Sequence, residues 1–223
     1  VLSAGIGQAP SRQAAIFSNL PKKVECLTIN KVCGSGLKAV MLADQSIRSG
    51  YSHLVVSGGM ENMSQAPYYL TNVRKGKKLG HTKSIDGLVH DGLWDPYNSM
   101  HMGSCAEVLS EEKKYTKTQQ DDYAIESYKR AQEAVKSGVF KNEIVAVEVP
   151  QRGGKIKHVA EDEEPGRVDF DKIKTLKAAF KSDGTISAAN ASTLNDGAAA
   201  LLISSLDYNK RFSINPIAEI VAH

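Results

Sequence analysis

The sequence predicts an α/β fold whose sheet is interrupted by an inserted, more polar region, and three observations carry that reading. Residues 1–63 alternate helix and strand signals, the pattern that builds a layered α/β sheet. Residues 64–183 are more polar and irregular. Residues 184–206 then return to sheet-like sequence rich in small and apolar residues. The chain therefore reads as a core (1–63 and 184–206), an inserted α/β loop domain (64–183) and a last stretch (207–223) that opens a further core.

Taken in order, Cys26 to Ile29 reads as a short strand, and Gly34-Ser35-Gly36 as a turn into a helix. In that helix Leu37, Val40, Met41, Ala43 and Ile47 share one stripe, and Gly50 ends it. His53 to Ser57 is an almost wholly apolar run stopped by Gly58-Gly59, as expected of a strand covered on both faces. The polar zone holds a basic stretch, Arg74 to Lys83, and a helix over 104–114. A second helix is expected to be capped by Thr118, to carry Asp121 and Asp122 in its first turn and to end by Gly138. Glu143 to Val149 alternates in strand fashion, and Glu161 to Pro165 is an acidic, solvated run. Thr185 to Ser187, a small-residue loop over 188–193, the turn Asn195-Asp196-Gly197 and a strand over 198–204 follow. Ile217 to Ala222 reads as one more strand.

Composition narrows the function classes. With 223 residues and 41% hydrophobic content the chain can bury a core of its own. A net charge of +3, from 28 basic and 25 acidic residues, is too small a surplus to argue for nucleic acid, so an anionic partner would have to be recognised locally. No run approaches the roughly 18 apolar residues of a membrane span. Three cysteines, with no CxxC and no Cys/His ligand spacing, support neither a disulfide framework nor a zinc site and fit a reducing compartment. The sequons at Asn62 and Asn190 read as chance matches in an intracellular protein.

Among reactive residues Cys33 stands out. It lies where a strand hands over to a helix, and the free N–H groups and dipole of a helix start favour an anion, here a nucleophilic thiolate. Gly34 and Gly36 leave room for a substrate against the backbone. The competing reading is a small buried apolar residue. Cys26, within an apolar run, reads as packing; Cys105, at a helix start beside His101, keeps both readings open. Arg167 and Lys172 offer two cations beside the acidic run, either a grip on a phosphorylated nucleoside or a solvated loop.

Four segments, taken together and in this order, resemble thiolases: Ile29 to Ala39 around Cys33, Ser57 to Ser64, His101-Met102-Gly103, and Ser187 to Ser192 through Asn195-Asp196-Gly197-Ala198-Ala199. The resemblance spans the whole chain and implies a layered αβαβα fold of two similar cores with a loop domain inserted in the first. It implies that Cys33 accepts an acetyl group from acetyl-CoA, which a second acetyl-CoA takes to form acetoacetyl-CoA and CoA. By resemblance His101 and Met102 line the pantetheine and acyl end of the pocket. Tyr128, Arg167, Val168, Asp169, Lys172 and Ser192 match positions contacting CoA. A potassium ion is implied at Tyr128 with the carbonyls of Ala188, Ala189 and Ala191, and no organic cofactor beyond the CoA of the substrate.

The family likeness further implies a homotetramer assembled through the basic stretch, and the mitochondrial matrix, with the cytosol as the alternative. The departure is that no Asn-Glu-Ala-Phe, Gly-His-Pro or late Cys-x-Gly segment is present. In the family these supply the oxyanion-orienting asparagine, the activating histidine and the general-base cysteine. The second core is therefore expected to be largely missing and these residues alone to be inactive. A catalytically silent CoA-binding or assembly module is the alternative from another class, and a hydrolase pairing Cys33 with His101 is a third reading.

Overall fold

The computed structural model describes residues 1–223. In chain order the elements are α1 (Pro10–Phe17), α2 (Ser35–Arg48), β1 (Leu54–Asn62), β2 (Tyr68–Leu70), β3 (Ser84–Asp86), β4 (Trp94–Asp95), β5 (Met100–His101), α3 (Met102–Lys113), α4 (Lys117–Ser137), β6 (Val147–Pro150), β7 (Ile156–Val159), α5 (Glu164–Arg167), α6 (Phe170–Ile173), β8 (Asp196–Ser204) and α7 (Leu206–Phe212). They form two compact units, Val1–Trp94 with Leu194–His223, and Asp95–Thr193. No helix is long and apolar enough to cross a membrane.

The first unit is organised by an antiparallel pair. β1 and β8 run from Leu54 opposite Ser204 to Asn62 opposite Asp196. Gly58 is required by their close approach, since a methyl there would lie 2.1 Å from the Ala199 carbonyl oxygen. α2 packs on β1 and reaches β8. A Cβ on Gly59 would come within 3.4 Å of the Gly36 Cα, so two glycines let the first turn of α2 settle onto the strand. Deeper along α2, buried Asp44 accepts hydrogen bonds from Arg48 Nε at 2.7 Å and lies 3.0 Å from His223 Nε2. The Arg48 hydrogen bond holds the Asp44 carboxyl below the ordinary range against the effect of burial, and His223 adds to it.

The apolar run at 53–57 is a strand, but its cover differs from the two-sided burial the sequence predicts. β1 pairs only with β8 and is packed by α2, which leaves Val56 58%, Leu201 56% and Leu202 62% exposed. A two-stranded ribbon of this kind is marginal by itself in water.

The second unit rests on α3 and α4. The capping box of α4 belongs to Thr116 rather than Thr118: Thr116 Oγ1 accepts from Gln119 N at 3.2 Å, and Gln119 Oε1 accepts from Thr116 N at 2.9 Å. The motif needs a Gln or Glu three residues after the cap, which Thr116 has. Thr118 has Asp121 there instead, and that carboxylate is buried and paired with Lys117. Gly138, with φ of +70°, closes the helix as expected of a left-handed cap. Ile173 on α6, 1% exposed, is the largest apolar side chain buried in this unit. β6 and β7 form a separate antiparallel ribbon.

Two expected strands are irregular and one is short. At 26–29 no sheet forms; instead the Arg12 guanidinium donates to the carbonyls of Lys22 and Val24 just before it, so a side chain holds the approach to this segment. Residues 217–222 are also irregular, with Arg48 Nη2 donating to the Ile220 carbonyl at 2.7 Å. Within 143–149 only the stretch from Val147 is a strand, because only there does β7 run alongside.

The unit boundaries fall elsewhere than the composition shifts at 63/64 and 183/184. Residues 64–94 belong with the first unit, where Ser64 is tied through its N–H (3.0 Å) and its hydroxyl to the Asp196 carboxylate. Residues 184–193 belong with the second, where Thr185 and Ile186 bond to Glu107 and Asn190 to Asp121.

Candidate active site

Cys33 is exposed and lies one residue before the cap of α2. No side chain caps α2: Gly34 stands at the cap position, so the first-turn N–H groups of the helix are not taken up by a capping residue. The turn before it is held from both sides. Asn30 Oδ1 accepts from Val32 N at 2.8 Å, and Ser35 Oγ accepts from Lys31 N at 2.8 Å while donating to the Val32 carbonyl at 2.7 Å. Gly34 N also donates to the Lys31 carbonyl at 3.1 Å. Such an arrangement presents a sulfur to solvent at the positive end of a 14-residue helix, where negative charge on an attacking thiolate or on a tetrahedral oxyanion is favoured.

The remaining sequence-predicted site residues lie in the second unit. His101 caps α3, its Nδ1 accepting from Gly103 N at 3.1 Å, which leaves the proton of the neutral ring on Nε2. Its ring stacks on Phe180 at 4.9 Å, and Gly103 is needed there because a Cβ would fall 2.2 Å from the Phe180 ring. Met102, the first residue of α3, is 40% exposed. Cys105 follows on the same helix, half-buried.

Tyr128 sits on α4 and donates to Glu164 Oε1 at 3.3 Å; burial first, and then the Glu164 charge, push its phenol above the ordinary range. Arg167 Nη2 pairs with Glu163 at 2.7 Å, and Lys172 Nζ with Asp169 at 2.9 Å. Asp169 also caps α6, and its hydrogen bond from Lys172 is the main reason its carboxyl is lowered and the Lys172 amine raised. All four of these charged groups are solvent-accessible, and exposed pairs of this kind are weak, so either cation can exchange its carboxylate for a phosphate at little cost. Val168 is half-buried between them.

Ser192, Ala188, Ala189 and Ala191 belong to a loop whose order comes from buried partners that the sequence reading missed. Glu107, 6% exposed on α3, accepts from Thr185 N at 2.9 Å, Ile186 N at 2.8 Å and Thr185 Oγ1 at 3.1 Å. Burial opposes the Glu107 charge, yet these donors outweigh it and hold the carboxyl below its ordinary range. Asn190 Nδ2 donates to Asp121 and to the Thr185 carbonyl, both at 2.9 Å, and Asn190 Oδ1 accepts from Ser187 N at 2.8 Å. The amide nitrogen of that sequon is thus committed to the fold. Nothing in the helical pattern of α3 distinguishes Glu107 from its solvated neighbours; Asn190 could have been found as the only amide among small residues in its loop.

Fold and site together define an α/β protein with a displayed thiol near a helix start and a second unit carrying a small-residue loop tied by buried hydrogen bonds. Residues 1–207 match the family model described as thiolase, N-terminal domain, and the chain belongs to that family. It is 49% identical to a probable acetyl-CoA acetyltransferase of Dictyostelium discoideum, over all of this chain and 54% of that protein. It is also 49% identical to the mitochondrial acetyl-CoA acetyltransferase of Homo sapiens, over all of this chain and 52% of that protein. A solved structure of Acat5 thiolase from Ascaris suum in complex with coenzyme A superposes with a TM-score of 0.89 at 43% identity, covering 97% of this chain and 55% of that one. The chain thus spans about half the length of the curated relatives it matches.

Proposed function

We propose that this chain carries the acyl-accepting half of an acetyl-CoA acetyltransferase, with Cys33 as the nucleophile. The observation behind this is the exposed Cys33 thiol at the uncapped start of α2, within a family whose relatives bear that activity in their names. The Cys33 thiolate attacks the thioester carbonyl carbon of acetyl-CoA, and N–H donors at the helix start stabilise the tetrahedral oxyanion. Collapse breaks the carbon–sulfur bond to CoA, which leaves as its thiolate, and acetyl-Cys33 remains. The α-carbon of a second, deprotonated acetyl-CoA then attacks the acetyl carbonyl, returning the Cys33 thiolate and forming acetoacetyl-CoA. The base for that deprotonation is not assigned to a residue of this chain, and the 223 residues alone are expected not to complete the cycle.

For the substrate, Arg167 and Lys172 are the candidate partners of CoA phosphate groups. Tyr128, Val168, Asp169 and Ser192 would line its nucleotide and pantetheine, and His101 and Met102 its acyl end. The Acat5 structure in complex with coenzyme A supports this assignment of ligand. Potassium at Tyr128, Ala188, Ala189 and Ala191 belongs to the same proposal. The Tyr128 phenol on α4, beside the Glu164 carboxylate, and the peptide carbonyls of the loop are hard oxygen donors of the kind such an ion takes, and no cluster of three His, Cys, Asp or Glu residues offers a competing metal site. An ion there would neutralise local negative charge and stiffen the loop. Homotetrameric assembly through 74–83 and a mitochondrial matrix location complete the proposal. Several relatives carry the mitochondrial label and others do not.

The test is to incubate the chain with acetyl-CoA, quench, and locate acetyl groups by peptide mass spectrometry. Acetyl on Cys33, absent from Cys33→Ser, supports the proposal. Binding of CoA with no acetyl on Cys33 would instead identify the catalytically silent module, and free acetate in stoichiometric excess would identify a hydrolase.

A further inference from the structure

Val32, the residue before the nucleophile, has φ of +50°. A left-handed backbone is rare for any residue with a Cβ and is an outlier for a β-branched one, so something must hold it there. The surrounding hydrogen bonds identify what does. The Val32 N–H is taken by Asn30 Oδ1 at 2.8 Å, and the Val32 carbonyl receives both the Ser35 hydroxyl at 2.7 Å and the Ser35 N–H at 3.1 Å. Asn30 is itself anchored, its Nδ2 donating to the Val1 carbonyl at 3.3 Å. Both peptide groups of Val32 are thus fixed by side chains on either side of Cys33, and a relaxed Val32 would swing the thiol away from the start of α2.

We infer that Asn30 is a positioning residue: with Ser35 it clamps Val32 in the left-handed conformation that aims the Cys33 sulfur for attack. This rests on Cys33 being the nucleophile, and it adds that the strain at position 32 is what makes the Asn30 carboxamide necessary. A glycine at position 32 adopts the same backbone without strain and would make Asn30 dispensable.

The experiment is a double-mutant cycle on the full chain, with two readouts: the rate of iodoacetamide alkylation of Cys33 and the single-turnover rate of acetyl transfer from acetyl-CoA. Asn30→Ala is expected to slow both by roughly five- to tenfold, the loss of one positioning hydrogen bond. In the Val32→Gly background, removing Asn30 is expected to change them by less than about twofold. Asn30→Ser, whose hydroxyl can still accept from the Val32 N–H without placing charge beside the thiol, is expected to recover part of the rate. Thermal melting followed in parallel separates a fold defect, which would lower stability and slow the reaction alike in both backgrounds. Equal alkylation rates for Asn30→Ala and the parent chain, or an equal Asn30→Ala effect with Gly at position 32, overturn the clamp. Alkylation that follows the predicted cycle while no acetyl is transferred by the parent chain upholds the clamp and overturns the acyltransfer reading instead.

Discussion

Glu107 offers the sharpest test of how the loop at 185–192 is held. Its carboxylate is 6% exposed and accepts two backbone N–H groups and one hydroxyl. In Glu107→Ala the Thr185 hydroxyl keeps Ser110 and Gln120 as partners, so the loss falls on the N–H groups of Thr185 and Ile186. Hydrogen bonds to an ionised group contribute about 1.5–3 kcal/mol each, which puts the cost for two of them at about 3–6 kcal/mol; Glu107→Gln, which keeps an acceptor oxygen but not the charge, should cost about half of that. The sign of the pH dependence follows from the lowered Glu107 pKa. Its stabilisation is complete above the ordinary glutamate value of about 4.3 and is lost as the pH falls through the lower folded value. Urea unfolding of the parent chain and Glu107→Gln should therefore show a gap at pH 7 that narrows on acidification below pH ~4. Amide exchange at Thr185 and Ile186 should accelerate in both variants at neutral pH. A Glu107→Ala midpoint indistinguishable from the parent, or a Glu107→Gln gap unchanged by acid, would refute this account.

Two further perturbations act on elements that carry site residues. Gly103→Ala puts a methyl into the Phe180 ring and should unstack it from His101, costing about 1–3 kcal/mol despite the better helix propensity of alanine; loss of the ring-current shifts of His101 in NMR spectra would report it. Thr116→Ala removes the capping box of α4, the helix that bears Tyr128, and should cost about 1 kcal/mol in thermal unfolding, whereas Thr118→Ala should change it little.

What the sequence by itself determined is what is encoded locally. The spacing of Val40, Met41, Ala43 and Ile47 marks α2, although Leu37 of the expected stripe is 75% exposed and Asp44 outside it is buried, and Gly138 marks the end of α4, because a helix is read from neighbours three or four residues apart and from the residue that can turn left-handed. The place of Cys33 beside the start of α2 was legible from the glycine and helix signals close to it, although the strand expected before it did not form. The ordered motifs carried the family, which the match over residues 1–207 shows.

Tertiary structure alone decided the rest. The Glu107 clamp joins residues 78 and 79 positions apart, and the bond from Asn190 to Asp121 spans 69, separations at which no periodicity in the sequence reports the partner. The segment 26–29 looked like a strand by composition but has no neighbouring strand to bond with, and β-propensity counts only where a ladder exists to receive it. Val32 went left-handed against its own preference. Its peptide groups are bonded to Asn30 and Ser35, two and three residues away, so here distance along the chain is not the obstacle: side-chain hydrogen bonds within a turn leave no periodicity to read.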